Sequence, residues 1–274
     1  MTPVHIPLKK RWRFLTKQPT RLVFAPFDLA RYALTGALSC NHHHLLVACM
    51  PKSGSTFLSA ALANLPGFQG IGLTPGYGRR EQELDTLSML FYHRTNYVAQ
   101  QHVRYSGSME VWRQSLGIKP IVLVRDIFDV IPSLRDHFRR EDTVGPMGYV
   151  TQEMVGWEDS KLDYFIATML IPWYFNFYRS WLDCENMLMV RYEDINADPA
   201  SVVGRIVDHY GLGFSRETIE SAVNKAQGGL TRKNQAIVGR GQNLSEEVKA
   251  RIYEMADFYP GVDFSPIGII RWPD

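Results

Sequence analysis

Cysteine is scarce in this chain: Cys40, Cys49 and Cys184 are the only three in 274 residues, far apart and odd in number. None of them has metal-ligand spacing, which argues against a zinc ribbon or a disulfide framework and for a reducing, cytoplasmic setting. Long apolar runs are also missing. The most apolar stretch, Tyr164 to Tyr178, is interrupted by Pro172 and Asn176 and flanked by Asp163 and Arg179, so it reads as a buried helix and not as a membrane span. A secretory leader would need a clean apolar segment, and Asp28 and Arg31 break the one candidate. The formal net charge is only +2, so no global basic field marks a nucleic-acid binder, and any anion site has to come from local clustering. There is no Pro/Ser-rich linker, no internal repeat and no low-complexity tract beyond His42-His43-His44. Those three adjacent histidines, just ahead of an apolar run, read as solvated or sheet-end residues sooner than as a metal site.

What is present suits one sizeable core, since 45% of residues are hydrophobic and 21% charged. Residues 1–40 form a basic and aromatic arm, in which Lys9, Lys10, Arg11, Arg13, Lys17 and Arg21 alternate with Trp12, Phe14, Phe24 and Phe27. Such an arm can pack along the domain with its charges in water, or rest residues 9–27 on an anionic membrane, as a peripheral contact, or on a polyanionic acceptor. Residues 41–274 read as the domain proper. Leu45 to Met50, Ile121 to Val124 and Leu188 to Tyr192 are short apolar strands. Helical patterns run over Ser55 to Leu65, from after Arg125 to Arg139, over Leu162 to Leu182, from Pro199, and from Ser245 to Phe258. This alternation predicts an α/β fold: a central parallel sheet flanked by helices in a three-layer sandwich of the phosphate-loop type.

The chemistry gathers first at Met50-Pro51-Lys52-Ser53-Gly54-Ser55-Thr56-Phe57-Leu58, where a strand gives way to a helix. Amides at a helix start point outward together and, with the helix dipole, make an anion socket. Gly54 permits close wrapping, Ser53, Ser55 and Thr56 bring hydroxyls, and Lys52 brings a full charge. The order is not that of a Walker A loop, because Lys52 precedes Gly54. The segment resembles the PKSGTTW loop of the sulfotransferases that use 3′-phosphoadenosine 5′-phosphosulfate (PAPS), with Ser55 for the first Thr and Phe57 for Trp. The resemblance implies that Lys52 contacts the 5′-phosphate and the bridging oxygen, and that Phe57 lies near the adenine.

A second anion site is suggested by Arg125 leaving a strand end with Ser133 eight residues later, two helical turns on. The family has the same Arg and Ser spacing, which implies that Arg125 and Ser133 hold the 3′-phosphate. The alternative for Arg125 is a structural ion pair with Asp126 or Asp129. Pro132 breaks the helical pattern between them without a functional account. Val190-Arg191-Tyr192-Glu193-Asp194 resembles the family's RYEDL strand end, where Tyr192 would reach the adenine, although a buried sheet-end tyrosine fits too. Thr231-Arg232-Lys233 and Gly239-Arg240-Gly241 loosely resemble the late segment that closes over the 3′-phosphate, so Arg232, Lys233, Arg240 and Gly241 complete the expected nucleotide site. The resemblance runs from about Leu45 to Phe264.

Sulfuryl transfer needs in-line geometry, charge neutralisation at the leaving oxygen and a base for the attacking group. The transferred group carries less charge than a phosphoryl group, so a metal is not required. Tyr97 to Val103 reads as a strand ending in His102, which lies 23 residues before Arg125. The family has its catalytic histidine at nearly this spacing, which makes His102 the candidate base, with Gln100 where a Lys is usual. A satisfied sheet-end histidine is the alternative. His93 and His137 compete weakly, His93 within a stretch, Gly70 to Arg94, expected to border the acceptor. With the loop Glu141 to Trp157, that stretch would receive a hydroxyl- or amine-bearing carbohydrate, lipid or small molecule. Two rivals remain at this stage: a small-molecule kinase, against which the loop order argues, and a non-catalytic nucleotide-binding protein attached to membranes.

Overall fold

The computed structural model describes residues 42–74, 84–140, 144–145, 147–229 and 238–270. Residues 1–41 lie outside the described residues, and the expectation for the arm falls there. Among the described residues no helix is long and apolar enough to cross a membrane.

In chain order the elements begin β1 (His44–Cys49), α1 (Ser55–Ala63), β2 (Gln69–Ile71), α2 (Thr86–Phe91), β3 (Tyr97–Gln101), α3 (Gly107–Ser115), β4 (Ile121–Val124) and α4 (Ile127–Arg140). A small antiparallel ribbon pairs Val144–Gly145 with Gly148–Tyr149. After it come α5 (Gln152–Val155), α6 (Asp159–Phe165), a π turn (Ile166–Leu170), α7 (Ile171–Trp181), β5 (Leu188–Arg191), α8 (Tyr192–Ala197), α9 (Pro199–Tyr210), α10 (Arg216–Gly229) and α11 (Glu246–Asp257).

Among the described residues five strands pair in the order β2-β3-β1-β4-β5, all of them parallel as the sequence predicts, with the short edge strand β2 added by the structure. All six residues of β1 are buried, which is why that strand reads as an unbroken apolar run and not as an alternation. Its side chains still alternate between two cores. Leu46, Ala48 and Met50 join Val130, Ile131 and Leu134 of α4 and the aromatic residues of α7, whereas Leu45, Val47 and Cys49 join Leu58 and Leu62 of α1 and Val203 and Ile206 of α9. Burying a Leu or Val side chain contributes about 1.5–3 kcal/mol, so two cores on opposite faces hold the sheet as the middle of three layers.

The chain runs from β1 outward to the edge strand β2, returns through β3, then crosses past β1 to β4. The crevice beyond the carboxyl ends of β1 and β4 is therefore where the strand order reverses, the usual ligand position in such sheets.

Two helices differ from the sequence expectation for a proline-related reason. The aromatic helix expected over Leu162 to Leu182 is helical throughout Asp159 to Trp181 but passes through a π turn just ahead of Pro172. Pro172 cannot donate to the carbonyl four residues back, and the wider turn absorbs that mismatch. In α4, Pro132 leaves the Phe128 carbonyl without its helical donor. Gly241 packs onto that same peptide: a Cβ placed there would stand 2.6 Å from the Phe128 carbonyl carbon and 2.9 Å from its oxygen. The proline that the sequence left unexplained thus marks the docking place of a late segment of the chain.

Candidate active site

Four strand ends set the site in a row. β3 ends at Gln101, one residue before His102; β1 ends at Cys49, three before Lys52; β4 ends at Val124, one before Arg125; β5 ends at Arg191, one before Tyr192. Because the register pairs Ala48 with Gln101, Cys49 with Leu123 and Val124 with Arg191, the strands finish nearly level. His102, Lys52, Arg125 and Tyr192 therefore emerge along one edge of the sheet in the spatial order of their strands.

The loop after β1 is shaped by two residues in left-handed backbone conformation, Lys52 with φ 65° and Gly54 with φ 79°. For Gly54 this is free of Cβ strain; for Lys52 it costs on the order of 1–3 kcal/mol, the kind of strain that persists where surrounding contacts over-determine it. Those contacts are visible. The Ser53 hydroxyl donates to the Met50 carbonyl at 2.5 Å, Arg125 Nη1 donates to the Lys52 carbonyl at 2.8 Å, and the Tyr174 hydroxyl donates to the Pro51 carbonyl at 3.3 Å. Ser53 is thus committed to the loop itself, while Thr56 is exposed and Lys52 half-buried. Gly54 caps α1 with no side chain to accept from the first-turn amides, and that turn holds no acidic residue. Uncapped amides, the helix dipole and Lys52 together fit an anion. Phe57 lies half-buried against the core on the α1 face of the sheet.

Arg125 is 5% exposed, and its guanidinium carbon lies 4.2 Å from the centre of the Tyr192 ring. Both ion-pair readings of Arg125 are addressed by the geometry: Asp129 Oδ2 stands 4.0 Å from Nη2, while the Asp126 carboxylate accepts from the Phe128 amide at 2.8 Å and caps α4. Burial and the neighbouring Asp129 raise the Asp126 carboxyl to a pKa of about 6. Tyr192 does not end β5 but opens α8, and its ring overlies Gly54 so closely that a Cβ there would come within 2.8 Å of Cδ2.

Ser133 lies half-buried on α4 four residues after Asp129 and three before Asp136, on one helix face. The late segment docks on that face. Asp129 accepts from the amides of Gly241 at 2.7 Å and Gly239 at 2.8 Å, and Arg240 pairs with Asp136 at 2.8 Å. Arg232 and Lys233 fall outside the described residues.

His102 is 7% exposed, and its Nδ1 lies 2.8 Å from the Cys49 carbonyl and 3.4 Å from the Cys49 sulfur. A carbonyl only accepts, so Nδ1 carries the proton and the lone pair of the neutral ring is on Nε2. His93 is in a different place. Its ring packs 5.1 Å from that of His44, which opens β1, so it sits at the amino-terminal end of the sheet. The expectation that His93 borders the acceptor is corrected: the chain has travelled from the carboxyl end of β2 back to the start of β3 by that point. His44 itself is buried, with Nδ1 3.1 Å from the Leu116 carbonyl and Nε2 2.9 Å from the His93 carbonyl, which makes it a sheet-start packing residue.

Sequence reasoning missed Asp129 as more than an Arg125 partner, and missed Tyr174 and Cys49. A signal existed for the first, since Asp129 lies four residues after Arg125 and four before Ser133, on the same face of α4 as the latter. Nothing local marks the other two, whose contacts join residues 123 and 53 positions apart.

Comparison with known proteins bears on the family and the fold. Residues 42–237 match the sulfotransferase domain family. No curated protein matches the chain. Among solved structures, mouse sulfotransferase SULT7A1 complexed with PAP superposes with a TM-score of 0.60 at 14% identity, covering 86% of this chain and 91% of that one. Retinol dehydratase in complex with androsterone and the inactive cofactor PAP gives 0.51 at 17%, covering 84% and 82%. A sulfotransferase from Mycobacterium avium gives 0.50 at 10%, covering 85% and 80%. The structural likenesses establish the shared fold, and the domain match spans well over half of the sequence. The chain belongs to the sulfotransferase domain family, a family of transferases.

Proposed function

We propose that this protein moves a sulfuryl group from PAPS to a hydroxyl or amine of an acceptor, with His102 as the base. The observation that carries the proposal is the level row of His102, Lys52 and Arg125 on three adjacent strand ends, which offers a base, a phosphate loop and a separate arginine within one crevice. When bound, PAPS would supply the transferable sulfuryl group and a phosphate as its leaving group.

The residues present fit such a ligand. Lys52, Ser55, Thr56 and the amides opening α1 would hold the 5′-phosphosulfate end; Arg125 and Ser133 would hold the 3′-phosphate. Arg232 and Lys233 are proposed beside them from the sequence alone. Gly241 and Arg240 support that end through their contacts with α4. Tyr192 and Phe57 supply rings for the adenine side.

His102 Nε2 takes the proton of the attacking hydroxyl or amine while Nδ1–H remains on the Cys49 carbonyl, which fixes the ring plane and the tautomer. Lys52 places its charge where negative charge develops on the phosphate oxygen as the S–O bond to it breaks, an arrangement that stabilises the transition state more than the ground state.

Calorimetric titration with PAP, 5′-AMP and ATP tests the nucleotide reading: PAP should bind at least 10-fold tighter than either of the others, and equal affinities would defeat it. Transfer of labelled sulfuryl from PAPS, screened over sugars, lipid head groups and phenols, then identifies the acceptor.

A further inference from the structure

Asp129 is 2% exposed and belongs to neither the base nor the phosphate loop, yet it links the late segment to Arg125. Its Oδ1 accepts the Gly241 amide at 2.7 Å and its Oδ2 the Gly239 amide at 2.8 Å, while Oδ2 also stands 4.0 Å from Arg125 Nη2. Arg125 Nη1 continues the chain of contacts to the Lys52 carbonyl at 2.8 Å. A polar path therefore runs from the late segment through Asp129 and Arg125 into the phosphate loop.

We infer that Asp129 is a positioning residue for the second anion subsite: it aims the Arg125 guanidinium and locks Gly239 to Gly241 against α4, so that the enzyme tells a 3′-phosphorylated nucleotide from one lacking that phosphate. The inference rests on the PAPS reading above and deepens it.

A buried carboxylate beside an anion subsite is otherwise a liability, since it repels the ligand. Here each of its oxygens accepts an amide N–H, and these hydrogen bonds satisfy and partly neutralise the charge. The 4.0 Å separation from Arg125 orients the guanidinium without a short bidentate pair that would compete with phosphate. The docking is also sterically fitted from the opposite side. A Cβ at Gly241 would stand 2.4 Å from Phe128 Cβ, so only glycine lets that amide reach Asp129. Arg240, held by Asp136 at 2.8 Å one turn beyond Ser133, adds a second fixed point on the same face.

The sign of the effect separates positioning from plain electrostatics. Asp129→Asn removes a negative charge near the anion subsite, which by Coulomb's law alone should tighten anion binding. It also removes one of the two acceptor oxygens and sets an amide NH2 against a backbone N–H.

Calorimetric Kd values for PAP and for 5′-AMP, measured on the wild type and on Asp129→Asn whose fold is checked by thermal melting, give the test. The expected result is at least a 10-fold loss for PAP with less than a 2-fold change for 5′-AMP. Gly241→Ala, which displaces the same amide from the other side, should show the same selective loss. PAP affinity unchanged or improved in Asp129→Asn overturns the inference, and so does an equal loss for both nucleotides, which is what a merely structural role would give. If the wild type itself fails to prefer PAP to 5′-AMP, the PAPS reading fails first, and the two failures are thereby distinguished.

Discussion

Arg125 and Tyr192 are stacked, the guanidinium carbon 4.2 Å from the ring centre, and the same ring closes over Gly54 of the phosphate loop. One side chain, at the start of α8, thus touches both parts proposed to bind anions. The guanidinium gains a cation–π contact of roughly 0.5–2 kcal/mol, while its Nη1 donates to the Lys52 carbonyl at 2.8 Å.

Tyr192→Leu removes that contact, whereas Tyr192→Phe keeps it. Weakening of PAP binding by about 3- to 10-fold is expected for the leucine variant, equivalent to roughly 1 kcal/mol, and little change for phenylalanine. Titration calorimetry on the two variants decides, and equal behaviour would show that the hydroxyl or the bulk matters instead.

Gly54→Ala puts a methyl 2.8 Å from Tyr192 Cδ2 at a residue whose φ is 79°. Both the backbone strain and the displaced ring count against it, so a loss of about 1–3 kcal/mol in stability is expected. PAP should no longer raise the melting temperature. A variant that melts as the wild type does, with PAP protection intact, would contradict the loop geometry.

His102→Ala should lower kcat by about 10²- to 10⁴-fold, the range for losing a positioned base. PAP affinity should stay within 2-fold, since His102 follows β3 and Arg125 follows β4, on opposite sides of β1. Calorimetry and sulfuryl-transfer rates on the same preparation separate the two effects. Undiminished kcat would remove His102 from the base role while leaving the nucleotide site untouched.

Asp126 carries a pH signature. Burial, helped by Asp129, raises its pKa in the folded protein to about 6 from an ordinary value near 3.8. The folded state therefore binds this proton more tightly than the unfolded chain does, so its contribution favours folding below about pH 4 and is lost as pH rises through 6. Asp126→Asn keeps an acceptor for the Phe128 amide and carries no charge. It should be more stable than the wild type at pH 7.5, by on the order of 1–3 kcal/mol, with the difference vanishing near pH 4. Melting curves of both proteins across that range check the sign.

The turn from β1 into α1 was legible because its requirements are local. An apolar strand, Gly54 and a helical pattern within a few positions suffice to place it, and the structure adds the left-handed φ at Lys52 that no residue pattern announces. The positions of Arg125 just past β4 and of Ser133 on the helix that follows were legible for the same reason. His93 was misplaced because residues 92–94 had to be assigned to one end of the sheet or the other, and sequence distance does not tell which way a connection has travelled. Tyr192 was read as the end of a strand, and it opens a helix because β5 runs out one residue earlier.

By itself the sequence determined the alternation of strand and helix, the parallel sheet and the chemistry of each strand end, since these follow from hydrophobic period, glycine placement and residue type over short spans. Only the tertiary structure decided which groups meet: that Cys49 holds the His102 proton in place, that Tyr192 covers Gly54, and that Asp129 binds Gly239 and Gly241 across more than a hundred residues. Such contacts arise from the order in which strands are laid into the sheet, and that order is set by the packing of whole faces, a property no local stretch of residues contains.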